Sequence, residues 1–371
     1  MNRRIRVLHI GKYYPPHMGG IEIYFQQLVI HQSKVMDVAA IVASDLRRTQ
    51  VEFLDGAKIT RVASLGVIAS MPITPTMAWP IRQSKADLLH LHTPNPGAAL
   101  ALLMSRHPGK LIITHHADTL GRKQLRRLSD PFVRRVMERA SAIIVTSKRY
   151  LESSEELAPF HDKCKIIPMG IDATSFEGPD TAVSKNIRAK YGERLILAVG
   201  RLVPYKGFEY LIRSMKSVNG VLLLVGTGPL QNELQGCIQE CGVRDKVLML
   251  GRVDDITQYY KAVRVFVIPS ITRAEAFGVV QMEAMASGVP VINTDIPSGV
   301  PEVSVHGQTG FTVPPKDPEA LAYAINLLLD KAELRQQFGN AARERVRDKF
   351  SAEKMVEQTM DVYDSVMAES T

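Results

Sequence analysis

The chain has 371 residues, 45% hydrophobic and 23% charged, with a formal net charge of +8. That length exceeds what one hydrophobic core usually holds, so two domains are expected, each with a sizeable core of its own. Three cysteines (Cys164, Cys237, Cys241) form no CxxC pair and no histidine cluster accompanies them, so reduced thiols are expected and a zinc site or disulfide framework is not.

Taken in chain order, IRVLHI (5–10) reads as the first buried strand, and a leader of three arginines is too short for a secretory signal, so a cytoplasmic chain is expected. KYYPPHMGG (12–20) follows as a loop, and Gly19 and Gly20 open a helix containing Glu22 and Tyr24. Strands at 38–42, 86–91, 111–114 and 142–146 then alternate with helical stretches, as in a doubly wound parallel sheet. Residues 62–81 carry no charge over about the length a bilayer requires, but Pro72, Pro75 and Pro80 argue for a loop.

Charge is unevenly shared. Residues 1–170 hold 24 Lys/Arg against 13 Asp/Glu and residues 171–371 hold 22 against 25, giving +11 and −3. The excess gathers at 121–140, GRKQLRRLSDPFVRRVMERA, a basic amphipathic helix running from Arg122 to Arg139, with Arg126, Arg127, Arg134 and Arg135 around a few apolar residues. Such a helix can lie on anionic lipid at the inner face of a membrane, each basic side chain contributing about 1 kcal/mol; a solvated face is the competing reading. No nucleic-acid motif appears, and 6% aromatic residues supply no stacking ladder, so no nucleic-acid partner is expected.

Residues 168–178 read as a linker. A second alternating domain, 171–350, follows, and the helical pattern continues from Pro318 to the end. Its strand LILAV (195–199) runs into GRLVPYKG (200–207), where Arg201 and Lys206 flank a strand-to-helix turn. A planar guanidinium and a point charge beside glycines that let backbone come close suit a diphosphate; a pair of surface charges is the alternative. The strand VRVFVI (263–268) leads to a helix expected over 277–287, capped by Gly288, and to the returning strand VPVIN.

Glu275 and Glu283 bracket that helix start. Were both helical, they would stand some ~80° apart and ~12 Å along the axis, too far for one small group. Glu275 is therefore expected in the loop and Glu283 in the second turn, holding two ends of an extended ligand, with the amides of Phe277, Gly278 and Val279 facing a phosphate between them. The competing reading is a first-turn acid favouring the helix dipole plus a solvated glutamate.

Together these residues resemble the retaining glycosyltransferases of family 4, over almost the whole chain. The other matching pieces are YYPP (13–16) before Gly19 and Gly20, THHAD (114–118), PMGID (168–172) and VGTGP (225–229). The resemblance implies the GT-B fold, an α/β architecture of two Rossmann-like doubly wound parallel-sheet domains facing across a cleft. Residues 1–170 would be the acceptor side, 171–350 the donor side, and 351–371 a helix crossing back onto the first domain. It places Glu275 near the donor sugar, Glu283 on the donor ribose, Arg201 and Lys206 on the diphosphate, and His116 beside the sugar at the reaction centre. Gly19 and Gly20 would line the transferred sugar and diphosphate, Val253 with Arg252 would lie near the base, and Asp118 and Lys123 are candidates for positioning the acceptor. His115 departs from the usual residue and carries no role.

The implied chemistry is transfer of a hexose from a nucleoside diphosphate sugar to a hydroxyl of a glycan or polyprenyl-diphosphate-linked glycan, retaining the anomeric configuration and needing no metal. Within the family the likeness is to bacterial mannosyltransferases of polysaccharide and O-antigen assembly, so GDP-mannose is the favoured donor and UDP-sugars are next. A GT-B epimerase and a non-catalytic nucleotide-sugar sensor are the alternatives.

Overall fold

The computed structural model describes residues 4–17, 19–68, 71–118 and 123–369, without the side chains of 123–129. Met18 and Arg122, and the side chains of Lys123, Arg126 and Arg127, therefore lie outside the described residues. The chain divides into two compact units, Met1–Gly170 with Ala352–Thr371, and Ile171–Ser351.

The first unit is built on an eight-stranded sheet in the order Cys164–Ile166, Ala142–Val145, Lys110–His115, Leu88–Thr93, Arg6–Ile10, Asp37–Ala43, Ala57–Val62 and Gln50–Leu54. All neighbours are parallel except the last pair. The central strands are buried along their length, histidines included, because helices cover both faces. Among these helices, Gly20–Gln32 packs against the C-terminal helix Ala352–Ala368, whose Met355, Val356 and Tyr363 are buried.

Residues 62–81 depart from the loop expectation. Val67–Ile68 and Met71–Pro72 form a two-stranded ribbon, and Ala78–Gln83 is a short helix. Pro80 is tolerated because it sits in the first turn, where a missing N–H breaks no helical bond. No described helix is long and apolar enough to cross a membrane.

The helix Lys123–Arg139 forms as expected, and three of its described apolar residues serve the unit itself. Val133, Val136 and Met137 are buried, and Arg139 donates to the carbonyls of His107 and Gly109. Facing outward are Arg134 and Arg135, exposed and paired with Glu138, and the exposed ring of Phe132.

The second unit carries a six-stranded, fully parallel sheet in the order Val247–Gly251, Val221–Val225, Leu195–Val199, Val265–Ile268, Val291–Thr294 and Gly310–Val313. Ile196, Leu222, Val265 and Ile292 meet Leu211, Leu234 and Ile325 of the covering helices in its core. Because all six strands run the same way, the segments after Val199, Val225, Gly251, Ile268 and Thr294 emerge along one edge, where open α/β sheets bind ligands.

Candidate active site

Two local features of the second unit bring distant residues together at that edge. Gly207 has φ +65, and a Cβ there would lie 2.3 Å from the Pro269 carbonyl oxygen. Its lack of a side chain therefore admits the neighbouring strand's end, and not a phosphate as the turn's composition suggests. Ile271 N–H then donates to Tyr205 at 2.8 Å, tying the two loops. Farther along, Gly226 and Gly228 face the backbone of Gly200 and Leu202, which leaves no room for side chains.

The result is an ion pair. Lys206 Nζ lies 2.5 Å from Glu275 Oε2, with both residues buried, and Ser270 Oγ donates to the same oxygen at 3.1 Å. Burial by itself would lower the pKa of Lys206, but the Glu275 charge, Tyr205 and the hydrogen bond to Glu275 outweigh it and hold the pKa above the ordinary lysine value. Arg201, by contrast, is exposed and makes no ion pair among the described residues.

The helix after the Glu275 loop is Val279–Ala286, two residues shorter at its start than expected. Gly278 is left-handed, at φ 76 and ψ 63, and so cannot be the helix's own residue. Gln281 Nε2 donates to the Phe277 carbonyl at 2.8 Å and fixes the turn. The amides of Phe277, Gly278 and Val279 donate to no group among the described residues. Glu283 falls in the second turn, half-buried, with Tyr260 OH donating to its Oε2 at 2.7 Å. Burial raises its pKa, the Tyr260 hydrogen bond opposing. Val253 follows the strand Val247–Gly251 half-buried, beside an exposed Arg252. Ser270 and Tyr260 were not singled out by sequence reasoning; only the strand order reveals them.

In the first unit, Gly19 and Gly20 begin the helix after the strand Arg6–Ile10. Gly19 is extended and accepts from Ile23 N–H. His116 follows the strand Lys110–His115 on the same edge. It is buried, its Nδ1 has no hydrogen-bond partner among the described residues, and Tyr24 meets its ring edge-on at 4.8 Å between centres. Burial, with His115 adding to it, lowers its pKa to about 3, so it is neutral. Asp118 is held by His115 Nε2 at 3.2 Å and by Tyr150 OH at 2.9 Å.

Histidines scattered in sequence do cluster: His9, His90 and His92 bring ring nitrogens within 4.8 Å of one another, as do ligand atoms of His115, Asp118 and Glu156. The first three spend their nitrogens on hydrogen bonds between His9 and His92 and to Gln32, Tyr363, Thr114 and His116.

Residues 180–345 match the family described as glycosyl transferases group 1, and residues 18–175 match glycosyltransferase family 4. A D-rhamnosyltransferase of Pseudomonas aeruginosa is 30% identical over 356 residues, covering 94% of this chain and 93% of the relative. An O-antigen chain mannosyltransferase of Escherichia coli is 28% identical over 371 residues, covering 98% and 99%. Sucrose-phosphate synthase from Thermosynechococcus elongatus shares the fold with a TM-score of 0.81 and 24% identity, covering 99% of this chain and 100% of the other.

Proposed function

Because the chain belongs to glycosyltransferase family 4, we propose that it moves mannose from GDP-mannose to a hydroxyl of a glycan or lipid-linked glycan, with retention and without a metal. Hexosyl transfer itself follows from the family. Mannose as the sugar and a glycan as acceptor are supported by the likeness to the O-antigen chain mannosyltransferase. UDP-sugars are the alternative donors.

The observation that carries the reading is the edge of the second sheet. Exposed Arg201 and three amides without a partner among the described residues offer positive potential there to one diphosphate, beside buried Lys206, whose charge Glu275 balances. As the bond between the anomeric carbon and the phosphate oxygen breaks, charge grows on the leaving group. Preorganised cations and N–H groups stabilise that charge more than they stabilise the substrate. The acceptor oxygen forms the new bond on the same face, and its proton passes to the departing phosphate. Glu283 holds the ribose, with Tyr260 fixing its carboxylate, while Val253 lies at the base. Gly19, Gly20 and His116 contact the sugar. Attack by Glu275 as a covalent nucleophile is disfavoured, because Lys206 and Ser270 both occupy Oε2.

The test is a thermal-shift panel of GDP, UDP, ADP, GDP-mannose, UDP-glucose and UDP-N-acetylglucosamine, with and without chelator. Selective binding raises the melting temperature by mass action. A shift with guanosine compounds that survives chelator is the expected result. A shift confined to uridine compounds overturns the donor, and one abolished by chelator overturns the metal-free chemistry.

A further inference from the structure

Behind His116 the first unit holds an arrangement that the transfer reading does not use. His9 Nε2 lies 2.8 Å from Gln32 Oε1, His9 Nδ1 lies 3.1 Å from His92 Nε2, and His92 Nδ1 lies 3.4 Å from His116 Nε2. The ring centres are 5.4 and 5.6 Å apart, with planes inclined by 20° and 17°. These separations exceed the N···N distances by about the width of two half-rings. The rings therefore meet edge to edge in nearly one plane, the geometry of in-line N–H···N bonds and not of a face stack.

A neutral imidazole has one donor and one acceptor, so the end of such a chain decides the direction of every bond in it. Burial keeps the rings neutral, lowering His9 to about 4 against the opposing Gln32 hydrogen bond, and His92 well below the ordinary value. Gln32 Oε1 can only accept. His9 must then donate from Nε2 and accept at Nδ1, His92 must do the same, and His116 must donate from Nε2. Its Nδ1, buried and without a hydrogen-bond partner among the described residues, is left as a lone pair. Gln32 Oε1 faces His9 Nε2, while Gln32 Nε2, at the other end of the amide, is buried without a hydrogen-bond partner among the described residues.

We propose that His9 and His92 are positioning residues that hold His116 in its Nε2–H tautomer, so that Nδ1 stands as a hydrogen-bond acceptor for a hydroxyl of the bound sugar. The hydroxyl's role rests on the transfer reading; the tautomer does not. With the chain reversed, His116 would present an N–H and would repel the hydroxyl hydrogen it now receives.

Long-range proton–nitrogen correlation spectra of the full-length protein, labelled with nitrogen-15 in histidine, read this directly. The His116 signals are identified by their loss in His116→Gln. The expected wild-type result is a protonated Nε2 and a bare Nδ1. In His92→Phe, His116 should become a mixture of tautomers and kcat/KM should fall about tenfold or more, as when an orienting partner is removed from a functional histidine, with nucleoside diphosphate binding unchanged. His92→Gln, whose amide oxygen can again accept from His116, should restore the tautomer and most of the rate. Should His92→Phe not fold, Gln32→Leu cuts the chain at its other end and is read in the same way. A wild-type His116 protonated at Nδ1, or a tautomer unchanged in a folded variant, overturns the positioning. Absence of sugar transfer by the wild type instead overturns the transfer reading and, with it, only the hydroxyl's role.

Discussion

At the carboxyl edge of the six-stranded sheet, Lys206 and Glu275 are buried as ions 2.5 Å apart, whereas at the corresponding edge of the eight-stranded sheet His9, His92 and His116 are buried as neutral rings. The strands that carry both sites are parallel and both edges follow the same topological rule, so the difference lies in the side chains. A buried ion pair places strong fixed charge where a diphosphate can use it, but losing one partner leaves the other charge uncompensated. A neutral chain supplies direction instead of charge, and removing one member costs only an unsatisfied hydrogen bond.

The sharpest way to break this contrast is to remove one ion. Lys206→Ala or Glu275→Ala should lower transfer at least about 100-fold, as loss of a charge-stabilising donor does, and should lower stability by about 3 kcal/mol. The apolar double variant Lys206→Met with Glu275→Leu should regain the stability in urea melts but not the turnover. Recovery of both would show the pair to be structural. Gly207→Ala should cost about 2 kcal/mol, since a left-handed site gains a side chain against the Pro269 carbonyl. An unchanged urea midpoint would contradict that packing.

Arg201→Ala separates the exposed cation from the buried one. Its melting temperature should match the wild type, because the side chain makes no ion pair there, while kcat/KM drops about tenfold from the loss of a charged hydrogen bond. Equal losses of stability and rate would place Arg201 with Lys206 and erase the distinction.

Glu283 supplies a pH test. Its folded pKa is raised, so its contribution to stability is present below the ordinary glutamate value and is lost as pH rises through the raised one. Glu283→Gln should therefore raise the melting temperature at neutral pH, and more there than at pH 4. If the carboxylate holds the ribose, the same variant should bind nucleotide about tenfold more weakly. Wild-type binding should already decline on acidification above the ordinary glutamate range. The smallest effect expected is at the basic helix. With Val133, Val136 and Met137 buried and Phe132 exposed, binding to anionic liposomes should rest mainly on Arg134, Arg135 and their neighbours and should fall steeply at high salt. Salt-resistant binding would require an apolar contact instead.

Apolar runs and glycine-punctuated turns made the alternating strands of both units legible from the sequence, and the register of Glu275 in a loop with Glu283 in the second turn could be argued from helical spacing. The start of the helix was less legible. Phe277 and Gly278 favour the helix pattern only until the positive φ of Gly278 is known, and Pro80 reads as a breaker until its first-turn position is seen. What the sequence by itself determined were the local choices: burial periodicity, turn chemistry and the positions of chemistry-bearing residues along the chain. The pairing of Lys206 with Glu275 depended on strand Leu195–Val199 lying beside Val265–Ile268. The hydrogen-bonded line from Gln32 to His116 depended on Arg6–Ile10 lying beside Leu88–Thr93, and that strand beside Lys110–His115. Strand order is a non-local outcome of packing whole layers, so only the tertiary structure could decide which buried charges and rings would face one another.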